Sequence, residues 1–416
     1  MARTHGWLSR TAAWVAVSGS LAGLLTACGS DGDAGAAKPT GGGSVAATER
    51  FDASPQLLER ALGSGQTAGV PRPVLAAVRR AGNQVAPDQL ALALRCWKQK
   101  TCDTGTGGKL TVALADGFGE NVWREVTHME LVLQALTYRQ IGKIIYTSAQ
   151  GDTQKAISDF RSLIAQGVDI ITTFPDAGEA LLPVARQATR RGIVVVPYIA
   201  GLGGTPGKDY LTYVAEDLCR LGKNFAGVLN KELPGGGPVA FLGGTPGNPL
   251  SKAWQSCERP ALGNGLSVVG SADTSWTREG TLKAVSGLLG RHPDLKGISY
   301  EYADGFLGGV RAYTAANKAL DLVLTLRTDE VGLFCEWKKI NNPNFKIFYS
   351  SGGGFDSRIA LTAAMMKLSG QSVPATIVVP ATMRQVDAAT CKSTLPAQAP
   401  VSTLVPDGVL TAMYPS

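Results

Sequence analysis

The sequence predicts an α/β protein made of two doubly wound parallel-sheet lobes joined by a hinge, with a small helical preface. Three observations predict it. From residue 109 onward, apolar runs of strand length alternate with stretches of helical periodicity, and after Asp217 the alternation starts again. The apolar runs are continuous rather than alternating, as in parallel strands buried on both faces. The composition, 44% hydrophobic and 18% charged over 416 residues, is that of a globular chain with enough length for two to three domains.

In chain order, residues 1–27 read as an export signal: Arg3 and Arg10 flank a polar head, and an apolar stretch follows that is too short and too interrupted for a membrane span. It ends in Leu25-Thr26-Ala27-Cys28, which resembles the bacterial lipobox, so Cys28 is the expected lipidation site and the mature N-terminus. Acyl chains on that cysteine would tether the protein durably at the outer face of the cell membrane. Residues 28–50 form the lipidated end and a Gly-, Ala- and Ser-rich flexible linker. Residues 51–108 read as the helical preface, with helices opening at Ser54-Pro55, Pro73 and Pro87.

The first lobe is expected over 109–216. Strands are expected at 110–115, 141–147, 168–174 and 193–198; Val122, Val126, Met129, Leu133 and Leu136 mark the first helix and Ala156, Ile157, Phe160, Leu163 and Ile164 the second. The second lobe is expected over 217–379, with strands at 238–242, 266–271, 295–300 and 346–350 and helices between them. Residues 380–416 are then a return crossing and tail. Hinge crossings are expected near Glu216-Asp217, near Val379-Pro380 and again in the tail.

Seven cysteines less Cys28 leave an even number in an exported chain, which favours disulfides. Sequential pairs are expected: Cys96 with Cys102, Cys219 with Cys257, and Cys335 with Cys391. No CxxC occurs and histidines are scarce, so no metal site is expected. A net charge of +7, spread without a basic run interleaved with aromatics, gives no reason to expect nucleic acid.

Ligands of such sheets bind at the C-terminal ends of strands, so the strand-to-helix loops carry the chemistry. Asp116-Gly117-Phe118-Gly119 offers GxG, but Val122 stands where a dinucleotide fold needs its third glycine and no acidic residue follows at the right distance. LGGTPG occurs at 202–207 and 242–247; both copies miss the phosphate-loop pattern and read as tight turns. Neither GxSxG nor HExxH occurs. An enzyme is not expected, and no cofactor.

Residues Gln154-Lys155-Ala156-Ile157, the stretch 163–171 (LIAQGVDII), Ala180-Leu181-Leu182-Pro183 and the run 188–196 ending in Gly192-Ile193-Val194-Val195-Val196 resemble the first lobe of type I periplasmic solute-binding proteins, the ribose-binding kind. The second lobe echoes it in His292-Pro293-Asp294-Leu295-Lys296-Gly297-Ile298. The resemblance covers about 109–385. It implies three hinge crossings, a sugar clamped between lobes, and delivery to the permease of an ABC importer by a monomer.

Carried over position by position, the resemblance puts ligand contacts at Trp123, with Asn121 nearby, and at Trp254, Trp276, Tyr302 and Ser351; the strand ends and their loops add Phe118, Tyr198 and Asp304 as candidates. Glu301 is a further candidate acceptor, whereas Trp97, Trp337 and His128 read as packing or surface. The aspartate–arginine pair that grips sugar hydroxyls falls at Ile199-Ala200 and is absent, so aromatic faces are expected to replace charged grips. Between Tyr302 and Ser351 the chain is longer than the ribose pattern, and an extra strand at 322–326 and a helix near Cys335-Glu336-Trp337 are expected there. The reading is a lipid-anchored, extracytoplasmic receptor for a sugar or sugar-like, possibly aromatic, small molecule. The alternative is a ligand-sensing subunit that signals to a membrane kinase.

Overall fold

The structure, a computed structural model, describes residues 53–82, 87–119 and 121–415. The signal segment, the lipidation site Cys28 and the linker lie outside the described residues. Among the described residues no helix is long and apolar enough to cross a membrane, and no group of three or more histidine, cysteine or acidic side chains is placed to hold a metal ion.

The preface is α1 (Pro55–Leu62), α2 (Arg72–Ala81) and α3 (Pro87–Lys98). Each carries a proline within its first two positions, where a missing N–H leaves no helical bond unmade. The Cys96–Cys102 disulfide ties the end of α3 to β1 (Thr101–Asp103), a short strand that pairs antiparallel with the edge of the first sheet.

That sheet has the order β1-β3-β2-β4-β5, from β2 (Leu110–Asp116), β3 (Ile141–Ser148), β4 (Ile170–Phe174) and β5 (Val194–Pro197). All but β1 run parallel. Helices α4 (Val122–Leu136), α5 (Thr153–Ala165) and α6 (Leu182–Arg190) connect them. Val112, Ala113 and Leu114 are fully buried, as strands covered on both faces must be. Caps fix where the first two of these helices begin. Asn121 accepts from the Arg124 amide in α4 and Asp152 from the Lys155 amide in α5, satisfying donors that the first turn leaves open.

The chain then passes through β6 (Tyr213–Ala215) into the second lobe: α7 (Leu218–Glu232), β7 (Gly237–Gly243), α8 (Pro249–Glu258), β8 (Leu266–Asp273), α9 (Arg278–Arg291), β9 (Gly297–Tyr300), α10 (Ala303–Ala315), β10 (Val323–Leu326), α11 (Val331–Ile340) and β11 (Lys346–Tyr349). The expected extra strand and helix are β10 and α11. They are not appended at an edge, since β10 pairs parallel with both β9 and β11.

One boundary differs from expectation. Residues 356–368, which fall within the expected second lobe, form α12 (Asp356–Leu368), which packs on α4 and α2 and against β5 of the first. Its residues from Asp356 to Met366 are buried on every face, so it needs cover all round, and the first sheet together with the preface supplies it. The chain therefore returns to the first lobe between Tyr349 and Asp356. It crosses again between β12 (Thr376–Val378), which pairs with β6, and β13 (Arg384–Gln385), which pairs antiparallel with β11. The tail ends in α13 (Asp407–Met413). The second sheet thus has the order β13-β11-β10-β9-β7-β8.

The other two disulfides follow the expected sequential pairing: Cys219–Cys257 joins α7 to α8, and Cys335–Cys391 joins α11 to the tail. The LGGTPG copies end in turns, the second starting in the last two residues of β7, and the last glycine of each has a positive φ, +79° at Gly207 and +76° at Gly247. His128 departs from the surface placement expected of it. It is 4% exposed and stacks on Tyr146 with ring centroids 4.0 Å apart, and burial lowers its pKa to about 3.

Candidate functional site

In both sheets strand order reverses beside a central strand, at β2 in the first and β7 in the second, which opens a crevice at the strands' C-terminal ends. The two crevices face each other and the side chains there form one cluster.

On the first-lobe side, β2 ends in Asp116, which is 2% exposed. Its Oδ1 accepts from the Phe118 amide at 3.0 Å and from Arg124 Nη1 at 2.7 Å. The Arg124 guanidinium is held a second time by Asp176, just beyond β4, through Nη2 at 2.9 and 3.0 Å. It lies over the Phe174 ring, 3.5 Å from the centroid, within cation–π range. Gly117 permits this arrangement, because a Cβ there would lie 2.4 Å from Asp176 Oδ2. Burial pushes the Asp176 carboxyl up to about 6, against the opposing pull of Arg124.

On the second-lobe side, the carboxylate of Glu301, just after β9, accepts from two indoles: Trp254 Nε1 to Oε1 and Trp276 Nε1 to Oε2, both at 2.6 Å. Burial raises the Glu301 pKa. Trp276 is reached through two left-handed residues, Ser275 at φ +52° and Trp276 itself at +48°, an unusual pair for non-glycine residues. Its ring packs over Gly244, where a Cβ would lie 2.0 Å from the indole. At the end of β10, Arg327 pairs with Glu216 at the first crossing and sits 5.6 Å from the Trp123 ring centroid. Asp356, at the start of α12, has both carboxylate oxygens buried without a hydrogen bond; burial first, then Glu216, pushes its pKa well above the ordinary range.

The lobes meet through this cluster. Asn248 Nδ2 of the second lobe donates to Asp176 Oδ1 of the first at 3.0 Å, and Phe118 meets Trp276 edge to face at 5.8 Å. Between them lies a cavity of about 20 Å³, lined by Asn121, Trp123, Arg124 and Phe174 from one side and by Leu250, Trp276, Glu301, Tyr302, Arg327 and Thr328 from the other. That is space for about one water, so a larger ligand does not fit the cavity in this arrangement of the lobes.

Of the residues singled out in the sequence, Asn121, Trp123, Trp276, Glu301 and Tyr302 line this cavity, and Phe118 stands half-buried beside Trp276. The other four stand apart from it. Trp254 is fully buried between Phe225 and Phe241, one layer behind the wall. Tyr198 is fully buried edge-on to Phe174. Asp304 is turned to Arg278, accepting from its Nε at 3.0 Å. Ser351 is buried in the second crossing.

The expectation that aromatic faces replace charged grips holds only in part. Ile199 and Ala200 are indeed buried and apolar, but Arg124 and Arg327 bring charge to the cavity from α4 and from the end of β10. Phe174, Leu250 and Thr328 were also missed. Phe174 ends β4 and Arg327-Thr328 directly follows β10, so both carry the strand-end signal; β10 lies in the stretch where the chain is longer than the ribose pattern, and the resemblance therefore offers no position to match Arg327.

The chain matches the family described as periplasmic binding protein domain over residues 114–331. It is 29% identical over 176 residues to the ribose import binding protein RbsB of Bacillus subtilis, covering 42% of this chain and 57% of that protein; the match spans little more than half of the relative's length. Among solved structures it is similar to the periplasmic binding protein component of the arabinose ABC transporter from Shewanella sp. ANA-3, bound to arabinofuranose. There the TM-score is 0.62 and the identity 21%, over 68% of this chain and 94% of that one. A solute-binding protein from Actinobacillus succinogenes with bound D-allose gives a TM-score of 0.59 at 20% identity, over 68% of this chain and all of that one. These likenesses establish the type I periplasmic binding protein fold.

Proposed function

The chain belongs to the periplasmic binding protein domain family, and from that premise we propose that it is an extracytoplasmic receptor that clamps a sugar or sugar-like solute between its lobes and hands it to an ABC importer. The observation that carries the reading is the cleft itself. Side chains from both lobes converge on one cavity, joined across it by the Asn248–Asp176 hydrogen bond and the Phe118–Trp276 contact.

Such a cleft suits a ring with one apolar face and several hydroxyls. Trp276 and Trp123 offer ring faces, while Asn121, Arg124, Glu301, Arg327 and Thr328 offer donors and acceptors; a buried hydroxyl without a partner costs roughly 1–3 kcal/mol. The ligand closes the lobes only through contacts it makes better in the closed state. For the tether, the support is the sequence Leu25-Thr26-Ala27-Cys28 behind its apolar stretch.

The test is a thermal-shift screen of the purified protein against pentoses, hexoses, their deoxy forms and aromatic glycosides. A true ligand at 100 times its Kd adds about 2.7 kcal/mol to stability, and Trp276→Ala should weaken its binding by at least ~1 kcal/mol. A screen in which no sugar shifts the melting transition would remove the receptor reading. A sugar that binds tightly and is indifferent to Trp276→Ala would remove this site. A bound sugar that is never transported would instead favour the sensing role.

A further inference from the structure

The preface and the tail lie outside the residues that match the family, and neither contributes to the cleft cavity. Their hydrogen bonds nevertheless connect the two lobes. On the second-lobe side the tail lies along the segment that follows β10. The amides of Val331 and Gly332 donate to the carbonyls of Ala399 and Ala397 at 2.9 and 2.8 Å, and the Val401 amide donates to the Asp329 carbonyl at 3.0 Å. The Ser402 amide then donates to Asp329 Oδ2 at 3.0 Å. Upstream, Cys391 is bonded covalently to Cys335 of α11.

At the next residue the partners change lobe. Thr403 Oγ1 and the Leu404 amide both donate to Glu130 Oε1 of α4, at 2.6 and 2.8 Å. Glu130 is fully buried and also pairs with Arg358 of α12. The chain then enters the preface, where Arg60 of α1 donates to the Val405 carbonyl at 3.4 Å and to Asp407 at 2.8 Å. Helix α13 buries Val409, Leu410 and Met413. Tyr414 closes the path, donating to Glu125 of α4 at 2.7 Å and meeting Trp97 of α3 edge-on.

We propose that the tail is a latch across the hinge: it grips Asp329 of one lobe and Glu130 of the other within three consecutive residues, and the helical preface is the socket that holds its far end. Ser402 and Leu404 are two residues apart, so their Cα atoms are separated by at most about 7 Å. A rotation that carries Asp329 away from Glu130 cannot be absorbed by slack chain. One set of these hydrogen bonds must lengthen past its working range of about 3.2 Å. The latch therefore biases the lobes toward closure before any ligand arrives, and releasing it is part of opening. The inference goes beyond the receptor reading and does not depend on it, since its test uses no ligand.

The test measures lobe separation in the full chain by single-molecule energy transfer, with dyes on keto amino acids incorporated in place of Lys155 in the first lobe and Lys283 in the second. Wild type is compared with Ser402→Pro, which removes the donor to Asp329, with Thr403→Val, which removes one donor to Glu130, and with a chain ending at Leu395. The separated population is expected to rise by roughly three- to tenfold for each point variant, as the loss of about one hydrogen bond allows, and to dominate in the shortened chain. Identical separations in wild type and in point variants that melt cooperatively would overturn the latch. If the variants do not fold, hydrogen exchange of the wild type decides. The Ser402 and Leu404 amides should be protected and should exchange together, whereas exchange at the free-peptide rate would overturn the proposal.

Discussion

Replacing Glu301 by leucine should destabilise the second lobe through the two indoles it serves. The carboxylate accepts from Trp254 Nε1 and Trp276 Nε1 at 2.6 Å each, and Trp254, Trp276 and Glu301 are 0%, 4% and 1% exposed. Both indole N–H groups belong to buried side chains and have Glu301 as their acceptor, so the substitution leaves each without its partner. Each buried donor left without a partner costs about 1–3 kcal/mol, so Glu301→Leu should lose roughly 2–6 kcal/mol, partly offset because a buried carboxylate no longer has to be accommodated. The asymmetry of hydrogen-bond energetics supplies the control. Where both partners are replaced by apolar groups the cost falls toward zero, so in a Trp254→Phe, Trp276→Phe background Glu301→Leu should cost under about 1 kcal/mol. Urea unfolding followed by circular dichroism measures both differences. An equal cost of Glu301→Leu in the two backgrounds would show that the indole bonds are not what Glu301 contributes.

Acid should destabilise the protein partly through His128. Its folded pKa is lowered to about 3 against an unfolded value near 6.5, so the unfolded chain binds more protons in that window and stability falls as pH drops from about 6.5 toward 3; His128→Leu should flatten that part of the stability profile. Glu258 acts in the opposite sense. Burial raises it to about 8 with Oε2 unbonded, so the folded state binds more protons between about 4.5 and 8 and stability declines as pH rises through that range. Glu258→Gln should remove the decline in denaturation measured from pH 5 to 9. Reducing Cys219–Cys257, which closes a separation of 38 residues, should cost about 2–4 kcal/mol, and intact mass without reductant should fall six hydrogens short of the all-thiol value. Gly244→Ala, whose Cβ would lie 2.0 Å from the Trp276 ring, should expel that indole from the cleft, read as a red-shifted and more quenchable tryptophan emission.

The layered architecture was legible because parallel strands buried on both faces announce themselves as continuous apolar runs, and the capped helices between them follow in period. What the sequence hid has a common physical cause: pattern shows that a segment is buried, not what it is buried against. Helix α12 is buried on every side from Asp356 to Met366, its polar residues included, so periodicity singles out no face; only the preface and α4 folding over it show that it belongs to the first lobe. His128 reads as polar and surface because nothing local tells it that Tyr146 lies across it.

The two tryptophans make the same point at the site. Trp254 and Trp276 both fall where the resemblance places ligand contacts, and both donate to Glu301, yet only Trp276 lines the cavity. The difference is a backbone one. Ser275 and Trp276 itself are left-handed, which swings the Trp276 ring over Gly244 and toward Phe118, whereas Trp254 sits within α8 facing Phe225 and Phe241. Glu301 couples the two, so the core indole holds the carboxylate that in turn orients the cleft indole. A substitution at Trp254 should therefore reach the ligand through Glu301 and Trp276. Trp254→Phe should weaken binding less than Trp276→Ala does, and it should lose that effect entirely once Glu301 is leucine, an outcome that direct contact between Trp254 and ligand would not produce.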